Sequence, residues 1–147
     1  MFVSIKNYGP EQGFAVAYRQ HRAESHCRLI HGYALSFYFE FASETVDVRN
    51  WVVDFGSLRS LKEFLSDHFD HTLLVAQDDP EFATFEMLHL KKLAKMVVVE
   101  RTGCEGLSKF LHDYINEIWL PDNGYNTVRC RVVRVSETPA NSAWYEG

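Results

Sequence analysis

Positive charge is in short supply in this chain. Fifteen lysines and arginines face twenty acidic residues, giving a formal charge of −5. A nucleic-acid binder normally presents a basic face, so the balance argues against that class of partner. Long apolar runs are also missing. No stretch approaches the ~18 consecutive residues of a membrane span, and the N-terminus lacks the basic-then-apolar pattern of a secretory leader. Cysteine is sparse: Cys27, Cys104 and Cys130 make an odd count without tight spacing. That excludes a disulfide framework and suits reduced thiols. These absences predict a soluble, cytoplasmic protein with no membrane partner. With 46% hydrophobic and 24% charged residues, the composition is that of an ordinary globular protein. The length predicts one domain, residues 1–147, able to bury a sizeable core.

The densest chemistry lies in Ser25–Phe41, SHCRLIHGYALSFYFEF. From Leu35 onward this stretch is apolar or small almost throughout, carries Phe37, Tyr38, Phe39 and Phe41, and holds no proline. It reads as a strand buried on much of both faces. His26, Cys27 and His31 stand where a loop becomes that strand, a rigid support of the kind on which sites are built. The plainer alternative is that a lone cysteine in an apolar stretch is inert core.

Upstream, Phe14, Val16 and Tyr18 alternate on one face of a strand,. Its proximity to the aromatic strand makes antiparallel pairing the expected topology. Downstream, Ser57 is a candidate helix cap before Leu58, Leu61, Phe64 and Leu65, with the helix ending near Asp67 and Asp70-His71 in the loop beyond,. Asp79-Pro80 opens a second, short helix, and Met96–Val99 reads as a brief strand,. Leu107, Phe110, Leu111, Tyr114, Ile115 and Ile118 give the clearest amphipathic helix,. In the final strand the apolar phase slips between Val132 and Val133, which predicts a bulge or a strand that changes its burial midway, and brings Glu137 into phase with Val133 and Val135,. The order of elements predicts an α+β fold, an antiparallel sheet with helices on one face.

Six short motifs now fall into register: Phe14–Tyr18, Cys27-Arg-Leu-Ile-His31-Gly-Tyr33, Val53-Asp54-Phe55, Asp70-His71, Thr102-Gly-Cys-Glu105 and Val135-Ser-Glu137-Thr138. The series resembles the 6-pyruvoyl-tetrahydropterin synthase and 6-carboxy-tetrahydropterin synthase family over nearly the whole chain. The resemblance implies the tunnelling fold, a four-stranded antiparallel sheet and two helices per subunit. The sheets join into an oligomeric barrel, so it also implies a homo-oligomer, trimer or hexamer, with sites between subunits. It implies that Cys27 is the catalytic base toward the side chain of a pterin triphosphate substrate, with Asp70 and His71 as a proton-relay pair. Glu137 becomes the anchor of the pterin's guanidine-like edge, and Gly103, Cys104 and Glu105 the turn that completes the pocket from a neighbouring subunit.

The family holds zinc through three histidines. At those positions this chain has Tyr18, His31 and Tyr33, so only one of three ligands is present. A catalytic zinc takes three protein ligands, and His31 with His26, and His21 as a further candidate, is the set from which a site would have to be rebuilt. Two functions follow from the resemblance. One is a lyase acting on 7,8-dihydroneopterin triphosphate on the route to 7-deazaguanines (the queuosine precursors) or pterins; by charge alone, Arg19, Arg22 or Arg28 is the candidate to receive phosphate. The other is a pterin-binding protein without zinc-dependent catalysis.

Overall fold

The computed structural model describes all 147 residues. The organising element is the long aromatic strand, β3 (His31–Ser43), which has two successive partners along one edge. β1 (Phe2–Tyr8) pairs antiparallel with its second half, Phe2 opposite Ser43 and Tyr8 opposite Phe37. β2 (Phe14–Tyr18) pairs antiparallel with its first half, Phe14 opposite Leu35 and Tyr18 opposite His31. A helical turn at Pro10–Gln12 joins β1 to β2.

Beyond β3 come α1 (Arg59–Phe69), β4 (Thr72–Ala76), α2 (Phe82–Leu90), β5 (Met96–Val99) and α3 (Cys104–Tyr114), then β6 (Arg129–Thr138) and β7 (Asn141–Glu146). Strands run in the order β5-β4-β2-β3-β6-β7, with β1 on β3. The four strands β1, β3, β6 and β7 make the expected antiparallel sheet. β4 and β5 extend it in parallel from β2, so the whole is mixed. Thr72–Ala76 does not read as a strand from its residues alone, because all five are buried and a short apolar run carries no period.

α1 and α3 cover one face, Phe64 stacking on Tyr114 with ring centroids 3.6 Å apart. A third helix adds to the two expected on one face. On β4, Leu74 joins the main core, whereas Leu73 and Val75 join a separate cluster with Phe85 of α2. Alternate side chains of a strand point to opposite faces, so α2 covers the other side. Ser57 does not cap the first helix; Asp54 caps the turn that leads into it. Asp54 accepts from the Gly56 amide at 2.8 Å and begins a tight turn, Phe55–Leu58, that runs into α1. No helix is long and apolar enough to cross a membrane.

The expected bulge is present. Glu40 faces Val132 but Phe41 faces Cys130, leaving Arg131 as the extra residue. Two devices hold it. Arg131 grips Glu40 with two nitrogens at 3.0 and 2.7 Å. Asn116, in a single π-helical turn (Ile115–Trp119) that extends α3, pairs with both backbone groups of Cys130 at 2.9 Å.

Candidate active site

Three strands deliver side chains to one place. Tyr18 closes β2 and lies opposite His31, the first residue of β3; Tyr33 follows two positions later on the same face. Glu137 comes from β6, beyond the bulge. The Tyr18 hydroxyl donates to the Glu137 carboxylate, and the two residues are 119 positions apart in sequence. Tyr33 lies within electrostatic reach of the same carboxylate and of Cys27. Tyr18 is fully buried, so desolvation first, then the hydrogen bond and the negative charge of Glu137, push its phenol far above the ordinary value. Tyr33 is shifted the same way, by burial and then by the charges of Glu137 and Cys27.

Cys27 sits in a short helical turn, His26–Arg28, capped by Ser25, whose hydroxyl accepts from the Cys27 amide at 3.3 Å. Its carbonyl accepts from the Gln20 amide at 2.9 Å, which ties the turn to the end of β2. Cys104 opens α3, buried, with its thiol against the backbone amides of Glu137 and Ala143; burial, then the Glu137 charge, pushes it up to about 12. Gly103 before it has φ +94, and the Gln20 side-chain amide would overlap a Cβ there. No other residue fits that turn. Within the single chain the turn borders its own Glu137. Glu105 is exposed on the following residue.

Asp70 and His71 do form a pair, with Nδ1 2.7 Å from the Asp70 carboxylate. They lie elsewhere in the chain. β4 runs parallel to β2 with Thr72 opposite Val16, which sets His71 level with Ala15. Tyr18 is three residues farther along, about 10 Å at the rise of a strand. Within one chain the pair and Cys27 stand at opposite ends of β2. The arginines also differ from expectation. Arg19 is committed to Asp79 through two bonds of 2.9 and 2.6 Å, Arg22 bonds Asp78 at 2.8 Å, and Arg28 bonds the Glu24 carbonyl at 3.3 Å.

The rebuilt zinc set is not formed. His21 faces Asp78 at 3.1 Å, His26 is exposed, and His31 donates Nδ1–H to the Leu29 carbonyl at 2.6 Å. No three His, Cys, Asp or Glu side chains gather as a metal-holding group. The two phenols do not replace the missing imidazoles, because zinc must displace a proton from each ligand and both are held protonated. The donor set does not fit a catalytic zinc.

Thiol chemistry offers a direct check on the placement. Cys27 is half-buried, whereas Cys104 and Cys130 are buried, with both thiols pushed up to about 12. A thiol reagent at pH 8 should therefore label one cysteine rapidly and the other two only on unfolding. Cys27→Ser should remove the fast phase, and a fast phase that survives would place the reactive thiol elsewhere.

The expectation for Glu137 came from strand phase and from the family resemblance. Its bond to Tyr18 had no sequence signal, since partners a hundred residues away are fixed by the sheet. Comparison with known proteins bears on the same residues. The family model described as 6-pyruvoyl tetrahydropterin synthase matches residues 10–147. Curated relatives include the 6-carboxy-5,6,7,8-tetrahydropterin synthases of Rickettsia conorii, 30% identical over 69 residues, and Rickettsia typhi, 34% identical over 65. The matched segments are 46% and 42% of this chain and 50% and 47% of those proteins, so the chain spans about half the length of the curated relatives it matches. Among solved structures, an uncharacterized protein from Wolinella succinogenes superposes with a TM-score of 0.81 at 20% identity, covering 99% of this chain and 98% of that one. The 6-pyruvoyltetrahydropterin synthase of Plasmodium vivax superposes at 0.64 with 16% identity, covering 100% and 99%. These likenesses show a shared fold, and with the match of the family model over most of its length, this chain belongs to the 6-pyruvoyl tetrahydropterin synthase family.

Proposed function

We propose that the chain is a pterin-processing lyase of the 6-carboxy-tetrahydropterin synthase kind, acting on 7,8-dihydroneopterin triphosphate on the way to pterins or 7-deazaguanines. The observation that carries this reading is the bond of Tyr18 to Glu137 at the end of β2 and β3, where the turn that holds Cys27 is tied by the Gln20 amide. A carboxylate facing two N–H donors gives a charge-assisted, two-pronged contact suited to a guanidine-like ring edge. With the ring anchored on Glu137, Cys27 is the base beside the side chain, which loses a proton as triphosphate departs.

The Asp70–His71 pair serves the same step only across a subunit boundary, given its place at the far end of β2. His71 is 87% exposed in the single chain and free to meet a neighbour's Cys27. A homo-oligomer, trimer or hexamer, is therefore part of the proposal. Mixing tests it. Cys27→Ser and His71→Ala should each abolish release of triphosphate from dihydroneopterin triphosphate. Refolded together, the two variants should recover turnover, because some boundaries then carry an intact Cys27 and an intact His71. Loss of activity without recovery on mixing would place both groups within one chain and sink the shared site.

A second reading is favoured by Tyr18 and Tyr33 standing at the family's metal positions: a pterin-binding protein without zinc chemistry. Pterin binding with no turnover by the unmodified chain would select it.

A further inference from the structure

Side chains take up the space where the family's metal would sit. The ring centroids of Tyr18, His31 and Tyr33 are 5.9, 5.7 and 5.2 Å apart, the separations of rings in direct contact. Tyr18 donates its hydroxyl to one carboxylate, Glu137, and Tyr33 lies within electrostatic reach of it. An ionised carboxylate offers about four acceptor positions, so one phenol donor leaves room for two N–H groups. The third ring, His31, is turned by its bond to the Leu29 carbonyl.

The geometry points to a metal-independent ligand site in which the packed rings of Tyr18, His31 and Tyr33 and the Tyr18–Glu137 hydrogen bond stand in place of the zinc ion. It rests on the pterin reading for its ligand, a planar heterocycle with a guanidine-like edge. The two tyrosines differ in role. Tyr18 is buried at 1% exposure and acts through Glu137, fixing the carboxylate in the plane the ring edge requires; it is a positioning residue. Tyr33 is half-buried beside Cys27. It presents a hydroxyl, rather than a Lewis acid, to the ligand's side chain. A carboxylate held from behind by a phenol on another strand keeps its orientation when the site is empty, and such preorganisation raises affinity by lowering the ordering cost.

Zinc and neopterin serve as separate probes. After equilibration with zinc chloride and desalting, the unmodified chain should retain less than about a tenth of an equivalent. The double variant Tyr18→His, Tyr33→His restores imidazoles on both sides of His31 and should retain about one equivalent. Should that variant fail to fold, the unmodified chain decides alone: stoichiometric zinc that His31→Ala removes would overturn the proposal. Neopterin binding, followed by its fluorescence, should change by less than about twofold on adding a chelator, and loss of binding on chelation would equally overturn it. Tyr18→Phe should weaken neopterin about tenfold, and should weaken the 2-oxo analogue, which lacks the amino donor, far less. Equal weakening of both would reduce Tyr18 to packing and end its positioning role. If neopterin fails to bind with or without zinc while no zinc is retained, the metal-independent site stands and the pterin reading falls.

Discussion

Asp79→Ala should destabilise the fold by about 3–5 kcal/mol, the range found when one partner of a buried ion pair is removed. The Asp79 side chain is 2% exposed and accepts two bonds from Arg19, which is itself only 20% exposed. The same carboxylate accepts the Glu81 amide at 2.8 Å and so opens α2. Alanine leaves the guanidinium, packed over Phe85 at 5.6 Å, without its counter-charge, and frees a backbone donor. Arg19 follows Tyr18 directly, and its carbonyl accepts the Thr102 hydroxyl at 2.8 Å. Loosening this joint therefore loosens the floor of the site. Asp79→Asn keeps the shape and the capping oxygen but not the charge, and should cost less. Urea unfolding of the three proteins measures the difference; equal midpoints would show that the pair contributes nothing. The Arg19 bonds hold the Asp79 carboxyl below the usual carboxylate range. The contribution is thus complete above the unfolded value near 4 and lost as pH falls through the folded one.

The alkaline limb should be steeper still. Cys104 and Cys130 rise from 9.0 to about 12 and Tyr8 from 10.0 to about 12, each chiefly through burial, and Tyr18 moves in the same direction. In every case the folded chain holds its proton after the unfolded chain has lost it. Stability is then whole below pH 9 and falls through the window from 9 to 12, each group contributing about 1.4 kcal/mol per pH unit once its unfolded form ionises. By pH 11 the sum is several kcal/mol, comparable with the roughly 5–15 kcal/mol of a whole domain. Urea midpoints at pH 8 and pH 11 should differ sharply, and replacing both buried cysteines by alanine should flatten the slope. A flat profile in the unmodified chain would show that these side chains titrate in the folded state.

Much of the architecture was legible because period and position spoke together. The spacing of Leu107 to Ile118 marked α3, and the phase slip at Val132–Val133 announced the bulge that Glu40 and Phe41 confirm from across the sheet. Asp79-Pro80 marked the start of α2. The misses have equally local causes. Thr72–Ala76 is buried at every position and shows no alternation. Asn141–Glu146 opens with Asn and Ser, residues that read as loop until a partner strand fixes them. For the site, sequence order brought His26 and His31 close to Cys27 and proposed them as ligands. The turn at His26–Arg28 then sends His26 into solvent. Parallel pairing of β4 with β2 carries His71 away from Cys27, and nothing in the sequence of a strand states its partner's direction.

The extra residue at Arg131 sets the parity of everything that follows it on β6. Counting back from Glu137 by twos reaches Val135 and Val133, both inward, but the count resumes at Cys130 only because one position is skipped. Without that skip the same arithmetic would aim Ser136 and Thr138 at the Tyr18 hydroxyl and turn the carboxylate outward. Against β3 the strand thus behaves as a counter with one deliberate offset. Odd-numbered insertions or deletions between Cys130 and Glu137 exchange the faces of the site, whereas even-numbered ones only slide it. Along this lineage of folds, changes of length in that segment should come in pairs or be matched by loss of the clamp formed by Glu40, Arg131 and Asn116.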